Sequence, residues 1–448
     1  MVAAREAPPS SLMRTRRAHS PTTEGRASTV AGAGGQASRT PGVSGITRVG
    51  AALANPAVAA AILAVAVGIR LAWALLLPNG FNLVDLHVYV DCSAHLLGGA
   101  LYDCTYAEET PEFPLPFTYP PFAALLFFPL HYLPFGVVGV GWLLLTVAAL
   151  YKVAAIALEL VGSDPGTRRA MAMVWTAGGM WLEPMRTTLD YGQVNVFLVL
   201  GAMVAVRSSR WWISGPLVGL TAGVKLTPAI IGLYFVAYRR WTSAIASAVV
   251  FGVTVGVSYL AIGGQAQQYF GTLLGDADRI GPVGSVTNQS LRGVLSRILG
   301  HDVESGLVWV VAVAITACVA WFAWRALDRD DRLGTLLVVA FFGLLISPIS
   351  WSHHWVWVIP LLIWLTAGPF AGRPGARAFT VFWGVVTAIG VPWLLGFFQG
   401  DVWGFSRAGW LSWSASVYVA GALAWYGWLI RLARRDDRSS EPVARQAL

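Results

Sequence analysis

The sequence predicts an all-α polytopic membrane protein, and three observations lead there. Hydrophobic residues make up 56% of the chain and charged residues only 12%, against roughly 25% charged in an average soluble domain. Apolar runs recur from residue 58 to residue 430, many of them about 20 residues long and so able to cross a hydrocarbon core of roughly 30 Å. The net charge of +8 is carried almost wholly by arginine, because Lys152 and Lys225 are the two lysines in the chain. Those arginines lie in short segments between apolar runs. This is the positive-inside pattern of a multi-pass protein, and it excludes reading the charge as a nucleic-acid face.

Residues 1–50 are rich in Arg, Ser, Thr, Gly, Ala and Pro and carry few large apolar side chains. They cannot bury enough surface to fold alone. They also lack the short apolar core of a signal peptide, so they are expected to be a disordered cytoplasmic segment. The transmembrane domain is expected over 51–432, with a cytoplasmic tail at 433–448. Its first span runs from Val58 to Leu77, and a long outer loop with short interfacial helices follows at 78–120. Residues 121–160 are apolar but broken by Pro129, Pro134 and Gly136, and must cross an odd number of times. Further runs lie at about 171–182, 194–206, 213–224, 228–237, 241–262, 306–325, 333–347, 355–368, 378–397 and 411–430. The pieces 213–224 and 228–237 are short enough to be a broken or re-entrant pair, which is tolerated only against protein or a water-filled cavity. Arg207 and Arg210, Arg239 and Arg240, Arg325 to Arg332, Arg373 and Arg377, and Arg431 to Arg438 assign their loops to the cytoplasm. The sum is about twelve spans with both termini inside.

The unusual polar clusters then fall on one face of the membrane. In Asn82-Leu83-Val84-Asp85-Leu86-His87-Val88-Tyr89, Asp85 is read as a general base, since a carboxylate within hydrogen-bond reach can take a proton from a weakly nucleophilic sugar hydroxyl. A solvated loop acid or a helix cap is the plainer alternative. The later acids of that loop, Glu108, Glu109 and Glu112, are read as solvated, and the Tyr119-Pro120-Pro121 run as stiffening the chain before the next helix. Gln193 and Asn195 can give and accept hydrogen bonds as sugar hydroxyls require, or can cap helices. Arg186 offers a fork of donors for phosphate. Lys225 interrupts two apolar runs, where a lysine costs roughly 2.5–3.5 kcal/mol on insertion scales; phosphate binding and snorkelling are the two readings. Arg279 and Arg292 stand on the outer face against the charge bias and suggest anion binding. His353 and His354 suggest hydrogen bonds to phosphate or sugar; a metal is the less favoured use, because adjacent histidines on a helix diverge. Cys92 and Cys104 share the first loop and either pair or remain free thiols.

Several segments in order carry a resemblance: Val84-Asp85-Leu86-His87-Val88-Tyr89, Phe117-Thr118-Tyr119-Pro120-Pro121, Asp190-Tyr191-Gly192-Gln193-Val194-Asn195, Gly223-Val224-Lys225-Leu226-Thr227-Pro228, Asn288-Gln289-Ser290 and Ser352-His353-His354-Trp355. They resemble the actinobacterial polyprenol-phosphate-mannose-dependent α-1,2-mannosyltransferases of phosphatidylinositol mannoside synthesis, over about residues 55–430. The resemblance implies the GT-C glycosyltransferase fold and a plasma-membrane location with a periplasmic site. It implies a polyprenyl-phosphate-mannose donor and an acylated phosphatidylinositol tetramannoside acceptor. It also implies that Asp85 matches the catalytic aspartate and that one of His353 and His354 is functional. On this basis Asp85 is the expected catalytic residue. His353, His354, Lys225, Arg279, Arg292, Gln193 and Asn195 are expected around the donor, and His87, Tyr89, Tyr119, Asn288 and Gln289 around the acceptor. No metal or other cofactor is expected, since a lipid monophosphate donor has no diphosphate for a metal to hold. Two rival expectations are an α-1,2-branching transferase of lipomannan and a lipid-sugar flippase without chemistry.

Overall fold

The computed structural model describes residues 50–77, 82–108, 110, 113–304 and 306–445. The Arg-rich segment expected over 1–50 lies outside the described residues except for its last position, as do Glu109 and Glu112. What is described is mainly helical. A single two-stranded ribbon, Thr105–Tyr106 against Leu115–Pro116, runs antiparallel in the first long loop.

Four helices are long and apolar enough to cross a membrane: Pro56–Leu76, Phe135–Leu160, Trp241–Gly271 and Leu307–Arg325. The pair Glu183–Tyr191 and Asn195–Arg207 would make a fifth, but it bends by 118° at its break. Among the described residues, the runs from which about twelve spans were expected are thus not all full-length helices. The reason lies in the backbone breakers. Pro129 and Pro134 divide 121–160 into a helix Pro121–Phe127, a tight turn Phe128–Tyr132 and the long helix Phe135–Leu160. Lys225 stands between Trp211–Val224 and the turn Thr227–Ile231, as the short pieces of that region suggested. Helices of 10–17 residues such as Arg332–Ile346 and Ala376–Ile389 rise about 15–25 Å at 1.5 Å per residue, short of a full crossing.

The long helices divide by what covers them. Trp241–Gly271 leaves Ile245, Val249, Val253 and Leu260 exposed, and Leu307–Arg325 leaves Val308, Val311, Ile315 and Phe322 exposed. Apolar rows of this extent suit lipid. Phe135–Leu160 instead buries Leu143, Val147, Leu150, Val153 and Ala157 in the main core. Trp211–Val224 lies against Trp241–Gly271 through Gly215, Gly219 and Gly223. A Cβ on these glycines would meet Ala246, the Ser247 carbonyl and Thr254 at 2.5–2.6 Å. Small residues spaced by four let two helices approach backbone to backbone in the membrane, and this packing sets the position of Lys225 at the helix end.

The first long loop is fastened at several points. Cys92 and Cys104 form a disulfide, which settles the alternative the sequence left open. Gln265, just past a break in Trp241–Gly271 at Ile262 and Gly263, accepts from Leu101 N–H (2.9 Å) and donates to the Leu96 carbonyl (2.9 Å). At the other end of the loop, Leu83 N–H donates to the Asp190 carbonyl (2.9 Å). The Asp190 carboxylate is paired with Arg70, which is buried within the helix Pro56–Leu76.

The turn after Asp190 sets the register of the short helix Val84–Ala94. Gly192 has φ +69°, and a Cβ there would stand 2.6 Å from Leu86 Cβ. Gly192→Val is therefore expected to lower stability by roughly 2–4 kcal/mol, from left-handed strain and overpacking together. A drop in the thermal unfolding midpoint of the purified protein reads this out; an unchanged midpoint would show that the turn yields freely.

Candidate active site

A cavity of about 1130 Å³ opens where the first loop, the 190–195 turn, the 225–227 break and the 347–354 segment converge. Asp85, in the first turn of Val84–Ala94, lines it together with Tyr119, Gln193, Lys225, Arg279, His353 and His354. Seven of the expected residues therefore share one space, although they span residues 85 to 354.

Gln193 links the acid to a buried phenol pair. Its Oε1 accepts from Tyr89 (3.0 Å) and Tyr119 (3.2 Å), whose hydroxyls lie 2.7 Å apart. The same Gln193 side chain lies beside the Asp85 carboxylate and favours its charged form. Burial pushes the Asp85 carboxyl up to about 6, while the Gln193 hydrogen bond and the charge of Lys225 pull the other way. Such a group is ionised at neutral pH yet basic enough to accept a proton.

Lys225 Nζ has three neighbours in hydrogen-bond range: Asn195 Oδ1 (3.0 Å), His354 Nε2 (3.1 Å) and Tyr119 Oη (3.4 Å). An ammonium has three N–H groups. If it donates to all three neighbours, His354 Nε2 is an acceptor and the imidazole proton sits on Nδ1. Asn195 then ties the cation to the histidine turn, because its Nδ2 donates to the His353 carbonyl (3.0 Å), which also accepts from Thr188 (3.3 Å). His353 Nε2 is buried at the cavity wall without a partner among the described residues.

Other expectations are revised by placement. Arg292 is outside the cavity, in a bidentate pair with Asp302 (2.9 and 2.7 Å). Asn288 and Gln289 are fully buried and spend their side chains on backbone groups, Asn288 on Val283, Pro348, Ser290 and Ser350, Gln289 on Val286, Ala415 and Tyr418. His87 is stacked between Tyr106 and Phe135 (4.6 and 3.6 Å) and bonded to Asp91 (2.8 Å). Tyr89 and Asn195 stand one layer behind the cavity wall. Arg186 lies over the Trp393 ring at 4.8 Å. Arg279 lines the cavity but directs its guanidinium to the carbonyls of Tyr102 (2.5 Å) and Phe117 (3.5 Å), so it joins two loop segments.

Sequence reasoning gave no role to Glu183 or to the 399–403 segment, and it read the aromatic neighbours of His353 and His354 only as an interfacial belt or a sugar-stacking platform; Glu183, Trp351, Ser352 and 399–403 all line the cavity. Glu183 accepts from Ser352 (2.5 Å), Thr187 (3.2 Å) and Tyr418 (2.9 Å). A buried acid held by one hydroxyl of its own helix and two from distant segments leaves no clear local sequence signal. The 399–403 segment lay in an outer loop, with Asp401 and Trp403 as its only hints. Among the described residues no three His, Cys, Asp or Glu side chains come together as a metal-ligand set.

The sequence profile of glycosyltransferase family 87 matches residues 117–348. The chain is 55% identical over 370 residues to a polyprenol-phosphate-mannose-dependent alpha-(1-2)-phosphatidylinositol pentamannoside mannosyltransferase of Mycolicibacterium smegmatis, covering 82% of this chain and 90% of the relative. The protein of that name from Mycobacterium tuberculosis is also 55% identical, over 82% of this chain and 86% of its own. The chain belongs to glycosyltransferase family 87. A second kind of relative, a polyprenol-phosphate-mannose-dependent alpha-(1-2)-phosphatidylinositol mannoside mannosyltransferase of M. tuberculosis, is 32% identical over 68% of this chain and 74% of its own. No solved structure matches the chain significantly.

For this glycosyltransferase the Arg292–Asp302 pair makes a direct prediction. Arg292→Ala is expected to cost roughly 1–3 kcal/mol of stability by leaving Asp302 unpaired, while leaving the KM for donor unchanged. Donor saturation kinetics beside thermal unfolding check this. A raised donor KM at unchanged stability would return Arg292 to the substrate.

Proposed function

We propose that this glycosyltransferase moves mannose from polyprenyl-phosphate-mannose to an acylated phosphatidylinositol tetramannoside, forming an α-1,2 bond with inversion and a pentamannoside product. The observation that carries this is the meeting of a high-pKa carboxylate, Asp85, with the Lys225–His354 pair and the unpartnered His353 Nε2 in one cavity. The relatives supply the substrate class.

In the proposed reaction Asp85 takes the proton of the acceptor 2-hydroxyl. The hydroxyl oxygen bonds the mannose anomeric carbon from the face opposite the phosphate, and the anomeric C–O bond to phosphate breaks. Polyprenyl phosphate leaves as the anion, so no proton donor is required. Charge growing on its oxygens calls for preorganised donors. Lys225, His353 Nε2 and the Nδ1–H of His354 are the groups assigned to that task. Lys225 exchanges one of its three present partners when it binds phosphate. The reaction is proposed to need no metal.

The site is proposed to face the periplasm in a plasma membrane, with a GT-C arrangement and both termini in the cytoplasm. The Cys92–Cys104 disulfide supports this side, since such bonds persist in oxidising compartments, and the arginine-bearing loops supply the opposite charge bias.

Purified protein is tested for transfer from polyprenyl-phosphate-mannose to tetramannoside lipid, with chelator present. Wild type is expected to make pentamannoside. Asp85→Asn is expected to lose at least about 10³-fold in kcat while still binding donor; transfer persisting in the variant would remove Asp85 from the chemistry.

The pH profile gives a second check. Asp85 must be ionised to act, so kcat/KM is expected to fall as pH drops through about 6. Lys225 holds that value down, so Lys225→Gln is expected to move the acid limb to higher pH besides lowering kcat. A limb that stays in place would separate Lys225 from Asp85.

A further inference from the structure

One wall of the cavity is aromatic, and the reaction just described does not use it. Phe113, Trp351 and Trp403 all line the space. Phe113 meets Trp403 edge to face, with centroids 5.1 Å apart. Trp351 lies directly on the backbone of Gly281. A Cβ there would stand 2.9 Å from the indole, and the φ of +141° is one that other residues rarely adopt.

Trp351 is also held from behind. It bridges Asn288 in an antiparallel pair, flanked by Gln289 N–H to the Ser350 carbonyl (2.7 Å) and Ser352 N–H to the Thr287 carbonyl (2.9 Å). Asn288 Oδ1 accepts from Ser350 N–H (3.0 Å), and its Nδ2 donates to the Pro348 carbonyl (3.3 Å). Arg297, buried, donates to the carbonyls of Ser285 (2.6 Å) and Asn288 (2.9 Å). The strap behind the indole is thus hydrogen bonded on both sides of Trp351, and Trp351 itself is half-buried where it lines the cavity.

A rigid aromatic face turned into a polar cavity suits the C–H face of a pyranose, whose partial positive charge meets the negative ring face. The wall also carries carboxylates: Asp276 and Asp401 line the same cavity and are exposed. Carboxylates accept hydrogen bonds from hydroxyls and repel phosphate, so this wall suits a neutral glycan better than the donor's phosphate.

We propose that Trp351 is the stacking platform for a mannose of the acceptor glycan. Asn288 is a positioning residue that holds it and does not touch substrate. This deepens the mannosyltransferase reading and rests on it.

The test compares wild type, Trp351→Phe, Trp351→Leu, Asn288→Ala and the Trp351→Leu/Asn288→Ala double variant. KM is measured separately for tetramannoside lipid and for polyprenyl-phosphate-mannose. Trp351→Leu is expected to raise the acceptor KM roughly tenfold with donor KM unchanged, and Trp351→Phe to recover most of that loss. Asn288→Ala is expected to raise the acceptor KM as well, and the double variant to add little to Trp351→Leu, since both changes act through one ring. An unchanged acceptor KM in Trp351→Leu, or a rise confined to the donor, overturns the proposal. So does full additivity in the double variant for the role of Asn288. If Trp351→Leu does not fold, Phe113→Leu on the same wall is expected to raise the acceptor KM by about threefold, and no rise there overturns the wall as a glycan site. If wild type fails to transfer to this lipid, the reaction assigned above is wrong. Equilibrium binding of tetramannoside lipid to wild type and Trp351→Leu then decides the platform alone, with equal affinities overturning it.

Discussion

The buried contact between Arg70 and Asp190 organises the site. It ties the helix Pro56–Leu76 to the last turn of Glu183–Tyr191, just before the turn that carries Gln193 and Asn195. The Asp190 carbonyl takes the Leu83 N–H. Gly192 lets the turn close against Leu86, Gln193 reaches Asp85, and Asn195 reaches Lys225 and the His353 carbonyl. A buried ion pair carries a desolvation cost that its own attraction only partly offsets, and its best-attested use is to select one register over others. Here the selected register is the one that faces Asp85 towards Lys225.

The electrostatics of the cavity follow from that geometry. Asp85 and Lys225 influence each other without an ion pair between them: Gln193 stands against the acid, and Asn195, Tyr119 and His354 surround the amine. Separating them with neutral hydrogen-bonding groups keeps the carboxylate basic. A direct salt bridge would pull its pKa down and weaken it as a base. The same spacing keeps cationic and neutral donors available where a leaving phosphate would gather charge.

The short and broken helices have the same origin. Non-helical backbone is tolerated at membrane depth only against protein or a water-filled cavity. The breaks near Lys225 and at 191–195 both border this cavity, and the 348–354 segment joins them there. Three of the four full-length helices, Pro56–Leu76, Trp241–Gly271 and Leu307–Arg325, by contrast, leave apolar rows exposed, while Phe135–Leu160 is packed into the core. Those three helices thus face outward, and the interrupted ones carry the polar side chains inward.

Composition and arginine placement were enough to determine the helical membrane class, and local residue type was enough to select Asp85, Gln193, Lys225 and the His353-His354 pair. Both signals are local or periodic, so a linear chain displays them. The short pieces around Lys225 likewise announced a break, because an ammonium interrupting two apolar runs leaves few alternatives. Tertiary structure alone decided which polar residues face the cavity and which serve the frame. Arg292 and Asp302 are ten residues apart, yet nothing in their types says that they bond to each other and not to phosphate. Asn288 and Gln289 look like sugar ligands, but their amides meet backbone from segments more than fifty residues away. Glu183 carried no motif at all, and Trp351 stood out only as an aromatic neighbour of the histidine pair. An amide, a guanidinium or an indole serves substrate and backbone with the same donors and faces, and only the packing of distant segments decides which of the two it meets.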